Sequence, residues 1–89
     1  MVERDIFVTN PDGLHARPSA TLAKRASQYT SEITISNDEI TIDVKNVLDV
    51  LKLCAPFGTK LTLRASGSDE QEASAAIVEV FGLRYNGTS

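Results

Sequence analysis

The sequence predicts an α+β fold, an open-faced two-layer sandwich whose four-stranded, mostly antiparallel sheet carries three helices on one face in the order β-α-β-β-α-β-α. Three observations lead there. Apolar residues alternate with a period of two in four separate stretches. The middle two stretches are joined by the tight turn Asn37-Asp38, which makes them a hairpin. Between the strands, apolar residues recur at three- and four-residue spacings, the helical pattern. The chain has 89 residues, enough for one domain over 1–89, and it contains no repeat, low-complexity run or internal linker.

Taken in order, Val2, Arg4, Ile6 and Val8 alternate with Glu3, Asp5, Phe7 and Thr9, a half-buried strand. Asn10-Pro11-Asp12-Gly13 is turn chemistry. A helix is expected from Ala16 to Gln28, because Ala16, Ala20, Ala23 and Leu22, Ala26 fall at helical spacings. Pro18 is tolerated in its first turn, where an amide has no intrahelical acceptor to lose. Glu32 to Ser36 places Ile33 and Ile35 on one face, and Ile40, Ile42 and Val44 belong to the hairpin's second strand. Asn46 caps a second helix to Leu53, with Asp49 in its first turn. Ala55-Pro56-Phe57-Gly58 is a loop, and Lys60 to Ser66 is a strand with Leu61, Leu63 and Ala65 inward. Ser68 and Gln71 have capping-box spacing ahead of a third helix through Ala73, Ala76, Ile77 and Val80, for which Gly82 is the expected stop. Asn86-Gly87-Thr88-Ser89 is short and polar enough to fray.

The second helix carries more apolar surface than one sheet can cover. At 100° per residue, Val47, Leu48, Val50, Leu51 and Leu53 span an arc of about 220°. Either a loop or another helix covers the surplus, or Val47, Leu48 and Leu51 form a docking patch for a partner.

Composition excludes several functions. Nine basic residues against twelve acidic ones give a net charge of −3, the wrong sign for a nucleic-acid binder. One histidine and one cysteine leave no ligand set for zinc, so no metal and no cofactor is expected. Cys54 cannot form an internal disulfide and reads as a small core residue, which fits a reducing compartment and makes the cytoplasm the expected location. No apolar run resembles a signal peptide or approaches the ~20 residues that span a bilayer, so no membrane insertion is expected.

The chemistry is concentrated in Gly13-Leu14-His15-Ala16-Arg17-Pro18. His15 stands where the first helix needs an N-cap, a role histidine fills poorly, and a local rule broken at a helix entrance points to function. The free amides of Ala16 and Arg17 lie at the positive helix end, Pro18 contributes none, and the Arg17 guanidinium fork suits phosphate oxygens. An imidazole beside an anion cradle is equipped to hold a phosphoryl group on nitrogen. The same helix end disfavours imidazolium, so His15 is expected to have a lowered pKa and to be a neutral nucleophile at pH 7. Ser19 follows Pro18 directly, but nothing nearby makes it a nucleophile.

This six-residue motif resembles the active-site signature of the HPr family, the histidine-containing phosphocarriers of the bacterial phosphoenolpyruvate-dependent sugar phosphotransferase system. The similarity runs from the first strand to the last helix and includes the helix start Lys45 to Leu51. The resemblance implies that His15 accepts a phosphoryl group through Nδ1 from a phosphohistidine on enzyme I and passes it to a histidine of a IIA component of a sugar permease. Arg17 would neutralise its charge, and the amides of Ala16 and Arg17 would hold its oxygens. Both partners would use one surface formed by Ala20, Lys24 and Ser27 with Val47, Leu48 and Leu51. The chain would then be a monomeric carrier with a covalent phosphohistidine and not a stand-alone enzyme. From Leu14 to Arg25 the sequence holds Arg17, Lys24 and Arg25 and no acid, a basic face suited to acidic partners, although Lys24 and Arg25 also fit as ordinary solvated helix charges.

The sequence departs from the pattern at Asn46. In the regulated branch of the family a serine there is phosphorylated by a dedicated kinase; asparagine caps the helix equally well but has no hydroxyl, so no such switch is expected unless Ser36 or Ser66 takes its place. Asp12, three residues before His15, either repels the phosphoryl group or binds loop amides. Two other readings remain: a carrier in a regulatory, nitrogen-type phosphorelay, and a non-covalent docking module using Val47, Leu48 and Leu51. The docking module leaves His15 without a purpose, and no arginine-plus-asparagine loop supports an acylphosphatase-like enzyme.

Overall fold

A computed structural model describes residues 1–8, 16–53, 56 and 58–86, with 16–18 and 82–86 described through their helical backbone. The element order is β1 (Val2–Phe7), α1 (Ala16–Ala26), β2 (Glu32–Ser36), β3 (Thr41–Asp43), α2 (Val47–Leu51), β4 (Lys60–Ser66) and α3 (Glu70–Asn86). The strands form one antiparallel sheet in the order β1-β4-β2-β3. Register follows the alternation of apolar side chains: Ile6 pairs with Leu61, Ile33 with Ala65, and Ile35 with both Leu63 and Ile42. All seven are buried, under a helical layer made of Leu22, Ala23 and Ala26 from α1, Val50 from α2, and Ala73, Ile77, Val80 and Phe81 from α3. Each valine, leucine, isoleucine or phenylalanine so buried contributes roughly 1.5–3 kcal/mol.

The other face of the sheet is polar. Arg64 crosses three strands on it, its Nε donating to Glu3 at 2.6 Å and a terminal nitrogen to Ser36 at 3.3 Å. Phe7, 52% exposed, is the aromatic exception on that face. The hairpin turn is held by Asn37, whose Oδ1 accepts the amides of Glu39 and Ile40, each at 2.8 Å. Gly58, at φ +88°, lets its N–H reach Val8 O at 2.8 Å while Val8 N–H reaches Thr59 O at 2.9 Å, extending the β1–β4 pairing past both strands. Among the described residues no helix is long and apolar enough to cross a membrane.

Helix ends differ from the sequence expectation in four places. The first helix stops at Ala26 and not Gln28: the amides of Gln28 and Tyr29 bond three residues back, to Arg25 and Ala26. The next two residues are claimed from elsewhere, since Asp69 accepts the amides of Thr30 and Ser31, each at 2.9 Å, and the Ser31 hydroxyl. The second helix ends at Leu51 and not Leu53, with Lys52 and Leu53 in the same tight turn, although Leu53 stays buried. At the third helix it is Glu70, not Gln71, that reaches back, its Oε1 accepting Gly67 N–H at 3.1 Å; the Ser68 hydroxyl instead lies 3.4 Å from that of Thr30. Gly82 does not stop α3, which continues to Asn86, because a helix interior tolerates one glycine at a cost of about 1 kcal/mol. Cys54, Asp12 and Gly87-Thr88-Ser89 lie outside the described residues.

Asp69 therefore ties the start of α3 to the entrance of β2. The Ser31 hydroxyl, with the Thr30 and Ser31 amides, favours the carboxylate and holds its pKa down at about 2 from an ordinary 3.8. A depressed carboxylate stabilises the fold above its unfolded pKa and ceases to do so as pH falls through its folded pKa. The melting temperature should accordingly fall between about pH 4 and pH 2. Asp69→Asn should be less stable at neutral pH and flatter across that window in a circular-dichroism series. Some slope should survive from Glu70, whose pKa is lowered chiefly by the Gly67 amide. A variant with the parent's full acid slope would contradict this assignment.

Candidate functional site

Two helices position the candidate surface. The helical backbone of α1 opens at Ala16, immediately after His15, and its first turn contains no acid. The amides of Ala16 and Arg17 are therefore among the donors that an α-helix leaves without an internal acceptor, at the end where the peptide dipoles sum to about half a positive charge. His15 and the Arg17 side chain lie outside the described residues. Farther along α1, Ala20, Lys24 and Ser27 are exposed and follow one another at helical spacing, with Ser27 Oγ donating to Ala23 O at 2.8 Å.

The basic character of this stretch is smaller than its residue count. Arg25 donates to Glu79 Oε1 on α3 at 2.9 Å, and Glu79, with Tyr29 second, raises its pKa. Arg25 thus fastens α1 to α3, leaving Lys24 exposed and without an ion-pair partner among the described residues.

The second helix opens as its sequence implied. Asn46 is extended, at φ −112° and ψ 111°, and its Oδ1 accepts Asp49 N–H at 3.2 Å while its carbonyl accepts Val50 N–H at 3.0 Å. Its apolar residues fall into three classes: Val50 and Leu53 are buried, Val47 and Leu51 half-buried, and Leu48 is 71% exposed. α2 packs against α1 and β3, and Leu48 is the part of its apolar surface that this packing leaves uncovered. Lys45, just before the cap, donates from Nζ to Tyr29 O at 2.8 Å and so joins the α1 exit to the α2 entrance.

Sequence reasoning missed the ties that hold these helices in place, namely Asp69 on Thr30 and Ser31, Lys45 on Tyr29 and Arg25 on Glu79. Each joins residues at least 16 positions apart, so local spacing carries no sign of it.

Comparison with known proteins agrees with this fold. The family model described as "PTS HPr component phosphorylation site" matches residues 2–82. The phosphocarrier protein HPr of Cupriavidus necator is 36% identical over 85 residues, 96% of each chain. A crystal structure of HPr from Thermoanaerobacter tengcongensis superposes with a TM-score of 0.90 at 32% identity, covering 97% of each chain. The histidine-containing phosphocarrier protein of Mycoplasma superposes at 0.85 and 35% identity, covering 89% of this chain and 90% of that one. With sheet order, helix placement and sequence in agreement over nearly its whole length, the chain belongs to the HPr phosphocarrier family of the phosphotransferase system.

Proposed function

We propose that the chain carries a phosphoryl group on Nδ1 of His15, received from the phosphohistidine of enzyme I and passed to a histidine of IIA components of sugar permeases. The observation that supports this most is the start of α1 at Ala16, so that the unsatisfied amides of the helix end belong to the two residues that directly follow the only histidine in the sequence. The Nδ1 lone pair attacks phosphorus, the donor's N–P bond breaks, and its electron pair returns to the donor imidazole. His15 keeps its proton on Nε2, so no other acid or base is required. Arg17 and the amides of Ala16 and Arg17 balance the phosphoryl charge. The reverse geometry delivers the group to the next histidine. A transfer between two imidazoles is nearly balanced in energy, so positioning and charge stabilisation are what the protein contributes.

Ala20, Lys24 and Ser27 on α1 and Val47, Leu48 and Leu51 on α2 form the docking face for both partners, with Leu48 as its apolar anchor and Lys24 meeting acidic partner groups. One face for two partners makes donor and acceptor mutually exclusive, as a shuttle requires. The carrier works as a monomer in the cytoplasm, and Asn46, which caps α2 with an amide and offers no hydroxyl, leaves it without the serine switch of its regulated relatives. The test is a chase: chain labelled by enzyme I and radioactive phosphoenolpyruvate should lose its label to purified IIA protein. Label that reaches the chain but never leaves it for any IIA protein would contradict the carrier role.

A further inference from the structure

The opening turn of α1 contains a polar group for which the transfer scheme has no use. Ser19 is 0% exposed, and its hydroxyl has no hydrogen-bond partner among the described residues. A buried hydroxyl in that condition is costly and uncommon. Ser19 begins the buried stripe that Leu22, Ala23 and Ala26 continue at helical spacing, so it lies on the core side of the helix, where an alanine would pack with no polar group to satisfy. Helical Cα–Cβ bonds tilt toward the N-terminus, which aims this hydroxyl at the opening end of α1 from beneath.

Its reach is restricted. A serine hydroxyl on a helix bonds the backbone carbonyl three or four residues back, here those of residues 16 and 15. Those carbonyls belong to the two peptide units whose N–H groups, on Ala16 and Arg17, are free donors of the helix end. Each peptide unit is planar, with N–H and C=O pointing in opposite directions. Tilting the N–H outward toward a phosphoryl oxygen therefore swings the attached carbonyl inward, toward Ser19.

We infer that Ser19 is a positioning residue for the phosphorylated state: its hydroxyl is unpartnered when the helix end is empty and donates to a carbonyl of the opening turn when the end is loaded. The inference rests on His15 being the phosphoryl acceptor. The hydroxyl then penalises the empty state and favours the loaded one, so removing it acts on the two states with opposite sign. A residue that merely fills space in the core has no such signature.

The test compares the full chain with Ser19→Ala, and with Ser19→Cys as a variant of similar size and weaker donor strength. Without phosphate, Ser19→Ala should melt at or above the parent temperature. Once loaded by enzyme I and phosphoenolpyruvate, both variants should lose the phosphoryl group to water about three- to tenfold faster, the effect of one net hydrogen bond. The carbonyl carbon shifts that accompany loading at residues 15 and 16 should shrink in both. Variants that load, hydrolyse and shift like the parent overturn the inference while leaving the carrier function intact. A parent that accepts no phosphoryl group on His15 overturns the carrier function and this inference together.

Discussion

Gly67→Ala is expected to lower the melting temperature by about 10–20 °C, through a loss of about 2–3 kcal/mol. Gly67 sits at φ +153°, which side chains rarely adopt, and a Cβ there would lie 2.7 Å from Ser31 Oγ and 2.8 Å from Ser31 Cα. The second contact decides the outcome, because a hydroxyl can rotate away and a backbone carbon cannot. Ser31 is also pinned, with its amide and hydroxyl on Asp69 and the next residue already in β2. To make room, the substitution must displace the turn that holds α3 to the entrance of β2. Gly58→Ala separates clash from conformation: its φ of +88° is strained too, but no atom lies within 4 Å of the added Cβ. That variant should cost about 1 kcal/mol. Equal losses at the two sites would contradict the clash.

Leu48→Asp is expected to leave stability within about 0.5 kcal/mol of the parent while lowering kcat/KM for phosphoryl exchange with enzyme I about 10- to 30-fold. The side chain is 71% exposed and α2 is anchored by Val50, so nothing in the core depends on it. A carboxylate so close to the N-terminal end of α2 is also electrostatically favourable. The loss should therefore come from docking: an apolar anchor is gone and a charge must be desolvated against the partner. Stopped-flow transfer with melting curves on the same samples checks both halves. Normal transfer by Leu48→Asp would remove α2 from the docking face, and a large loss of stability would mean that Leu48 is a structural residue.

The architecture was legible in the sequence because each layer has a period of its own. Strand alternation gave β2 and β4 to the residue, and Asn37 signalled the hairpin because an asparagine side chain can close its own turn. Asn46 was legible for a related reason, since capping is settled within three residues of chain. The surplus apolar arc of α2 was visible too, and Leu48 is where it emerges. Helix ends are less legible. Gly82 looks like a stop, yet α3 runs through it to Asn86, since one glycine costs a helix interior only about 1 kcal/mol. The early end of α1 depends on Asp69, which lies 38 and 39 residues from its two backbone partners and resembles any other acid at a helix start. Ser19 shows the same limit from the other side: its residue type was plain, but only the packed stripe of α1 reveals a hydroxyl with nothing to bond.

Covalent acceptance of a phosphoryl group by His15 is checked by intact-mass measurement after incubation with enzyme I and phosphoenolpyruvate. The expected result is a gain of about 80 Da, one phosphoryl group, that is lost in acid and absent from His15→Ala. No gain with an enzyme I shown to be active, or the same gain in His15→Ala, would contradict it.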